Sequence, residues 1–205
     1  MPRPYALKRR AERQAETRLR IVEAAVALHG SLGPARTTYS MVAERAGVQR
    51  HTLYAHFPDE RSLFLACSGL TTERDPLPEA ADWPDDADQL RVGLGAIYAW
   101  YGRNEQLAAC VLRDAESHTL TREMTELRFG PTMRRWEEVL GAGLDPVQRA
   151  TLRVMLGFPA WRSLARDSGL EPARAVELAV RAIRPRACGG TLHGPGPLPQ
   201  PNELL

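Results

Sequence analysis

Arg50, His51, Tyr54 and His56 fall within seven positions of the stretch "AGVQRHTLYAHFPDERSL", residues 46–63. Guanidinium, imidazole and phenol groups this close suit two chemistries. They can donate hydrogen bonds to phosphates and base edges, or carry protons in a catalytic pocket. Spacing argues against the second. His51 and His56 are five residues apart, so on a short helix they share a face poorly. The other histidines, His29, His118 and His193, form no HExxH, and none pairs with Cys or carboxylates at a metal-ligand spacing. No GxGxxG after a strand, P-loop or GxSxG occurs, and Glu116 near His118 in "AESH" reads as a solvated helix end. The expectation is no catalytic residue, no metal and no cofactor.

These residues must be held by helices. No segment alternates with period two, and no Asn-Gly hairpin signal appears. Ile21, Ala24, Ala25 and Leu28 mark one face of a helix over 11–30, ended by "GSLGP". A short helix starts with Thr37 or Thr38 as N-cap and stops at Gly47, where the turn needs positive φ. A second short helix spans about 49–55 and stops before Pro58. A fourth opens with "PDE", proline and two acids in a first turn. The spacing predicts further helices over 86–102, 104–116, 119–141 with a break near Gly130-Pro131, 145–168 kinked at Pro159, and 171–184. Between the two sets lies 71–88, with three prolines and seven acidic residues, read as a connector. The fold class is therefore all-α, with about nine helices. The tail over 189–205, rich in Gly and Pro, is predicted to be flexible.

Composition sets the class of partner. At 43% hydrophobic and 25% charged, the chain is ordinary for a soluble globular protein. It has no apolar run long enough to span a bilayer, and "MPRPYALKRR" lacks the apolar core of a secretory signal. Cys67, Cys110 and Cys188 are scattered, which fits a reduced, cytoplasmic protein. The net charge of +2 hides an asymmetry. Residues 1–70 hold 11 basic and 6 acidic residues, a balance of +5; the remainder hold 16 and 19, a balance of −3. Arg3, Lys8, Arg9, Arg10 and Arg13 make the start a basic arm, which suits a polyanionic partner or simply a solvated, disordered arm; charge alone does not decide between them.

A short helix, a tight turn at Gly47 and a second short helix form a helix-turn-helix unit. Val42, Ala43, Ala46, Val48 and Leu53 are its core positions. Gln49, Arg50, His51 and Thr52 are left to face outward, where Arg can pair with guanine and Gln or Thr can meet base edges. Tyr54 and His56 can hold phosphates. In these residues the chain resembles the TetR family of bacterial transcriptional regulators. The resemblance lies in Thr37-Thr38, Val42-Ala43, Ala46-Gly47-Val48, Thr52-Leu53-Tyr54, His56-Phe57-Pro58 and Leu63, and covers about residues 12–70. It implies base reading by Gln49, Arg50, His51 and Thr52, and phosphate contacts from Thr37, Thr38, Tyr54 and His56. One position departs: Glu60 stands where the family usually has a phosphate-pairing lysine, and a carboxylate there repels phosphate. Arg61, next along, is the candidate substitute.

The organisation expected is a basic arm and helix-turn-helix head over 1–57, then a helical ligand-binding and dimerisation domain over 58–188, with 58–70 as a linking helix. A cavity between body helices is expected near Tyr98, Tyr101, Arg113, Trp136, Met155, Phe158 and Trp161, although core packing explains such residues equally well. The resemblance implies a homodimer formed through the helices at about 145–168 and 171–184, double-stranded DNA with a palindromic operator as partner, and a small-molecule effector that releases a repressor. Non-specific or architectural DNA binding is the alternative reading.

Overall fold

The computed structural model describes residues 4–185, with side chains from Lys8 onward. Arg3, Cys188, His193 and the 189–205 tail lie outside the described residues. Among the described residues there are nine α-helices and no strand, so the fold is all-α. No helix among them is long and apolar enough to cross a membrane.

Helix α1 runs from Pro4 to Ser31. The basic arm is thus no separate element: it forms the first turns of α1, where Lys8, Arg9, Arg10 and Arg13 are exposed. Further along, Ile21, Val22, Ala24, Ala25 and Leu28 are buried and begin the head's core. A 3-10 turn at Pro34–Arg36 leads to α2 (Tyr39–Ala46), α3 (Arg50–His56) and α4 (Glu60–Arg74). Val42, Ala43, Ala46, Leu53 and Phe57 close the core, and α4 adds Leu63 and Cys67. Leu53 is fully buried, so truncating it to Ala would cost about 2–5 kcal/mol.

A second core lies between α5 (Gln89–Ala115), α6 (Thr119–Leu140), α7 (Pro146–Leu156), α8 (Phe158–Arg162) and α9 (Pro172–Ile183). Several features differ from those the sequence predicts. The two helices expected over 86–102 and 104–116 are one. Asn104, within it, donates back to the Trp100 carbonyl at 3.0 Å and across to Asp75 at 2.7 Å. Helix α6 continues through Pro131. Gly130 before it has no Cβ to clash with the proline ring, which eases the usual restriction on that position. The helix expected over 145–168 instead breaks at Gly157, extended at φ −74°, ψ 142°, so that Pro159 sits in the first turn of α8. That placement spares Pro159 a missing bond and a clash with the carbonyl four residues back. Tyrosines take the carbonyls freed at the end of α7: Tyr98 donates to Met155 at 3.0 Å and Tyr101 to Leu156 at 2.9 Å. Finally, the connector over 71–88 packs against the body. Ala80 and Trp83 are buried in the body's core, and Trp136 donates to the Pro78 carbonyl at 2.9 Å.

Candidate nucleic-acid interface and the cavity behind it

The turn between α2 and α3 rests on Gly47, at φ 64°, ψ 38°. Nothing lies within 4 Å of a Cβ placed there, so the left-handed conformation alone requires glycine. The Val48 amide reaches back to the Ala43 carbonyl at 3.0 Å and that of Gly47 to Glu44 at 3.1 Å, closing the end of α2. At its start, Thr38 is the N-cap, accepting from the Met41 amide at 3.3 Å. Thr37 is half-buried and donates its hydroxyl proton to the Gly33 carbonyl at 2.8 Å, which leaves it lone pairs but no free donor.

The anchoring of α3 fixes which side chains face out. Leu53 is buried at its centre and Phe57 at its end, the latter under the Arg18 guanidinium at 4.7 Å. Gln49, Arg50 and His51 are exposed together at its first turn, with Thr52 half-buried beside them. Tyr54 is exposed and lies 5.0 Å from the Tyr39 ring; His56 is half-buried. The structure thus brings the four expected base-reading residues to one end of one short helix. Arg61 is placed differently. It is exposed on α4 and pairs with Glu123 of α6 at 2.5 Å, toward the body. Glu60, the first residue of α4, is exposed beside the Asp59 N-cap.

Behind the head, a cavity of about 570 Å³ runs between α1, α4, α5, α6 and the start of α8. Trp100, Phe129, Met133 and Phe158 make one apolar stretch of its wall; Phe64, His29 and Thr121 line it nearer the head. Of the seven residues expected at a ligand cavity, Tyr101 and Phe158 are on the wall. The rest are not. Tyr98 and Trp136 are buried with their polar atoms bonded to backbone carbonyls, Met155 and Trp161 pack into the core, and Arg113 is exposed and paired with Asp114 at 2.8 Å. Besides Tyr101 and Phe158, the wall comes from α4, from other residues of α5, from α6 between Thr121 and Glu137, and from His29 of α1.

His29 is buried, and among the described residues neither ring nitrogen has a hydrogen-bond partner; its ring lies 4.9 Å from Phe64. Burial pushes its pKa down from 6.5 to about 4, partly offset by the charge of Asp114. It is a neutral imidazole at neutral pH. Burial likewise pushes the Cys67 thiol up to about 12, which makes it an inert wall residue. Among the described residues no group of three or more His, Cys, Asp or Glu side chains could hold a metal.

The class is now defined: a helix-turn-helix head carried on a helical body with an internal cavity. Comparison with known proteins agrees. Residues 21–67 match the family model "Bacterial regulatory proteins, tetR family". Over 85 residues the chain is 38% identical to the HTH-type transcriptional regulator TtgR of a Pseudomonas putida strain, and equally to the probable HTH-type transcriptional regulator ArpR of Pseudomonas putida. Those matches span 41% of this chain and 40% of each relative. Two solved structures share the fold over most of the chain. A TetR-like regulator from Rhodococcus sp. RHA1 is 19% identical with a TM-score of 0.60, covering 82% of this chain and 93% of its own. The multidrug binding protein EbrR, solved with imidazole, is 22% identical with a TM-score of 0.54, covering 83% and 97%. Residues 21–67 are thus similar to the tetR family's regulatory proteins, and over most of its length the chain shares the fold of the two solved structures.

Proposed function

We propose that this protein is a sequence-specific, DNA-binding transcriptional regulator, a repressor released from a palindromic operator by a small molecule. The observation that carries the reading is the exposed cluster Gln49, Arg50, His51 and Thr52 on a helix pinned by Leu53 and Gly47. A short helix of this kind fits the major groove, where these side-chain types read base edges. Thr38, Tyr54 and His56 would grip the backbone, and the basic first turns of α1 would add attraction. The relatives TtgR and ArpR, named as transcriptional regulators, support the assignment.

A homodimer follows from affinity. One head offers limited contact, whereas two on a two-fold axis read half-sites about 34 Å apart. Val147 and Val154, two turns apart on α7, are 75% and 61% exposed, and Leu178 on α9 is 46% exposed. This apolar surface supports a partner copy across α7 and α9. The head would span residues 1–57, with the body over 58–188 receiving the effector. Helix α4 serves both, with Leu63 and Cys67 in the head's core and Phe64 and Ser68 on the cavity wall. An occupant that shifts α4 would re-space the two heads, provided it binds the two arrangements unequally. The reading assigns no catalytic residue and places the protein in the cytoplasm, at the nucleoid when bound to DNA.

The test is selection of bound fragments from random DNA by the purified chain. A palindrome is expected. Retention of DNA without any sequence preference at a fixed salt concentration would overturn the reading in favour of architectural binding.

A further inference from the structure

The cavity wall carries charges, and their pairing selects a ligand class. Three carboxylates line it: Asp75, Glu126 and Glu137. Each has an arginine partner. Asp75 meets Arg103 at 3.0 Å, Glu126 meets Arg134 at 2.6 Å, and Glu137 meets Arg153 at 3.0 Å. The paired arginine holds the Asp75 carboxyl below its usual range. None of the three is left to attract a cation.

Arg128 is the converse. It is half-buried on the same wall and meets only neutral groups: its Nε donates to the Ser68 hydroxyl at 3.1 Å and an Nη to the Leu65 carbonyl at 3.4 Å. Among the described residues no carboxylate pairs with it. With the three acids matched, the wall keeps one uncompensated positive charge. A cation facing apolar surface without a counter-charge is costly, and an arriving anion relieves that cost. A second orphan lies one turn back on α6, where the Thr125 hydroxyl oxygen is buried without a hydrogen-bond partner. A change of rotamer turns a threonine hydroxyl to a new partner. His29, facing Phe64 one turn before Ser68 on α4, offers a further unpartnered ring nitrogen on the cavity wall. The rest of the wall, with Trp100, Phe129, Met133 and Phe158, is apolar.

We infer that the cavity takes an amphipathic organic monoanion, its carboxylate against Arg128 and its ring-bearing or aliphatic body among Trp100, Phe129, Met133 and Phe158. This deepens the effector-site reading above and rests on it. An Arg–carboxylate contact in such a site is charge-assisted and can be bidentate, so it discriminates strongly against uncharged analogues of the same shape. It would also tie α6 to α4 at the Ser68 turn, the helix that joins body to head.

Three fluorescent probes share one body and differ in charge: pyrenebutyrate, pyrenebutanol and pyrenebutylamine. Each is titrated into the full chain without DNA, at neutral pH and fixed salt. The acid is expected to bind at least roughly tenfold more tightly than the alcohol, with the amine weakest. Arg128→Gln is expected to erase the acid's advantage while the alcohol binds as before; Arg128→Lys should keep part of it. Equal or tighter binding of the alcohol or amine by the parent chain overturns the inference, as does no acid binding below its solubility limit, or an acid preference that survives Arg128→Gln. The parent's ranking decides the matter even if a variant does not fold. DNA retention measured on the same samples separates the two readings. An acid that binds in the expected order yet leaves DNA bound sustains the ligand class and removes effector-driven release.

Discussion

Asp114, near the end of α5, accepts a hydrogen bond from the Ala35 amide at 2.9 Å, joining the body to the turn that precedes α2. Its other oxygen holds Arg113, which donates to the Leu32 carbonyl at 3.0 Å. Gly33, at φ 98°, lies where any Cβ would strike both side chains. Asp114 is buried and serves both the Ala35 amide and Arg113, so its removal takes a partner from each. Asp114→Ala is therefore expected to cost about 1–3 kcal/mol in urea unfolding, with Asp114→Asn milder because its amide oxygen can still accept. Equal stability of Asp114→Ala and the parent would mean that this junction does not hold the head.

Arg50 and Tyr54 should fail in different ways. Arg50 is exposed at the first turn of α3; on the proposed reading its guanidinium meets guanine, so Arg50→Ala is expected to cost about 1–3 kcal/mol per half-site and relax specificity at one base pair. On the same reading the Tyr54 hydroxyl grips phosphate, so Tyr54→Phe should weaken all sequences alike. Competition titrations against a set of single-base operator variants distinguish the two patterns. Identical profiles for the two variants would contradict the division between reading and gripping.

Glu60 is the outlier of the head. It is exposed at the first position of α4, where the helix N-terminus favours an acid but a nearby phosphate does not. Arg61 is drawn toward Glu123, although an exposed pair of this kind is weak and opens readily. Glu60→Lys is expected to tighten operator binding and steepen its salt dependence by about one unit of slope, while lowering the stability of the free protein by about 0.3–1 kcal/mol. Binding curves at several salt concentrations check it; an unchanged slope would place the start of α4 away from DNA.

The head was legible because its constraints are local. The α2 stop at Gly47 and the buried Leu53 are each set within a few residues and are located by spacing, which narrows the N-cap to Thr37 or Thr38; the structure makes it Thr38. The body was less legible because its helix boundaries depend on distant partners. Asn104 lies inside α5 with its side-chain amide on Asp75, far off in sequence, and where α7 ends at Gly157 the Tyr98 and Tyr101 hydroxyls bond the freed carbonyls. Merging one pair of helices and splitting another keeps the count among the described residues at nine for unrelated reasons. Large aromatics suggested a cavity but could not say which of them lined it. Trp136 and Trp161 look like Phe129 in a sequence, and the expected break at Gly130-Pro131 hid the continuous α6 face that carries Thr125 and Arg128. His29 ends the apolar stripe of α1, and that position was a usable signal of its burial.

His29 links cavity chemistry to pH. Its pKa in the folded protein is lowered to about 4 against 6.5 unfolded, so between those values the unfolded chain binds the proton more readily. The sign is therefore fixed: stability contributed by the neutral imidazole is present above about pH 6.5 and is lost as pH falls toward 4. Asp114, paired with Arg113, is the charged neighbour that opposes the shift, and His118 lies on the far side of Phe64. Between about pH 7.5 and pH 5 the parent should lose about 2 kcal/mol through this group. His29→Gln, which cannot take the proton, should show a pH dependence flatter by that amount in urea unfolding. Parallel curves for parent and variant would mean that the imidazole accepts its proton inside the folded protein, and that the cavity is more polar at that end than its wall implies.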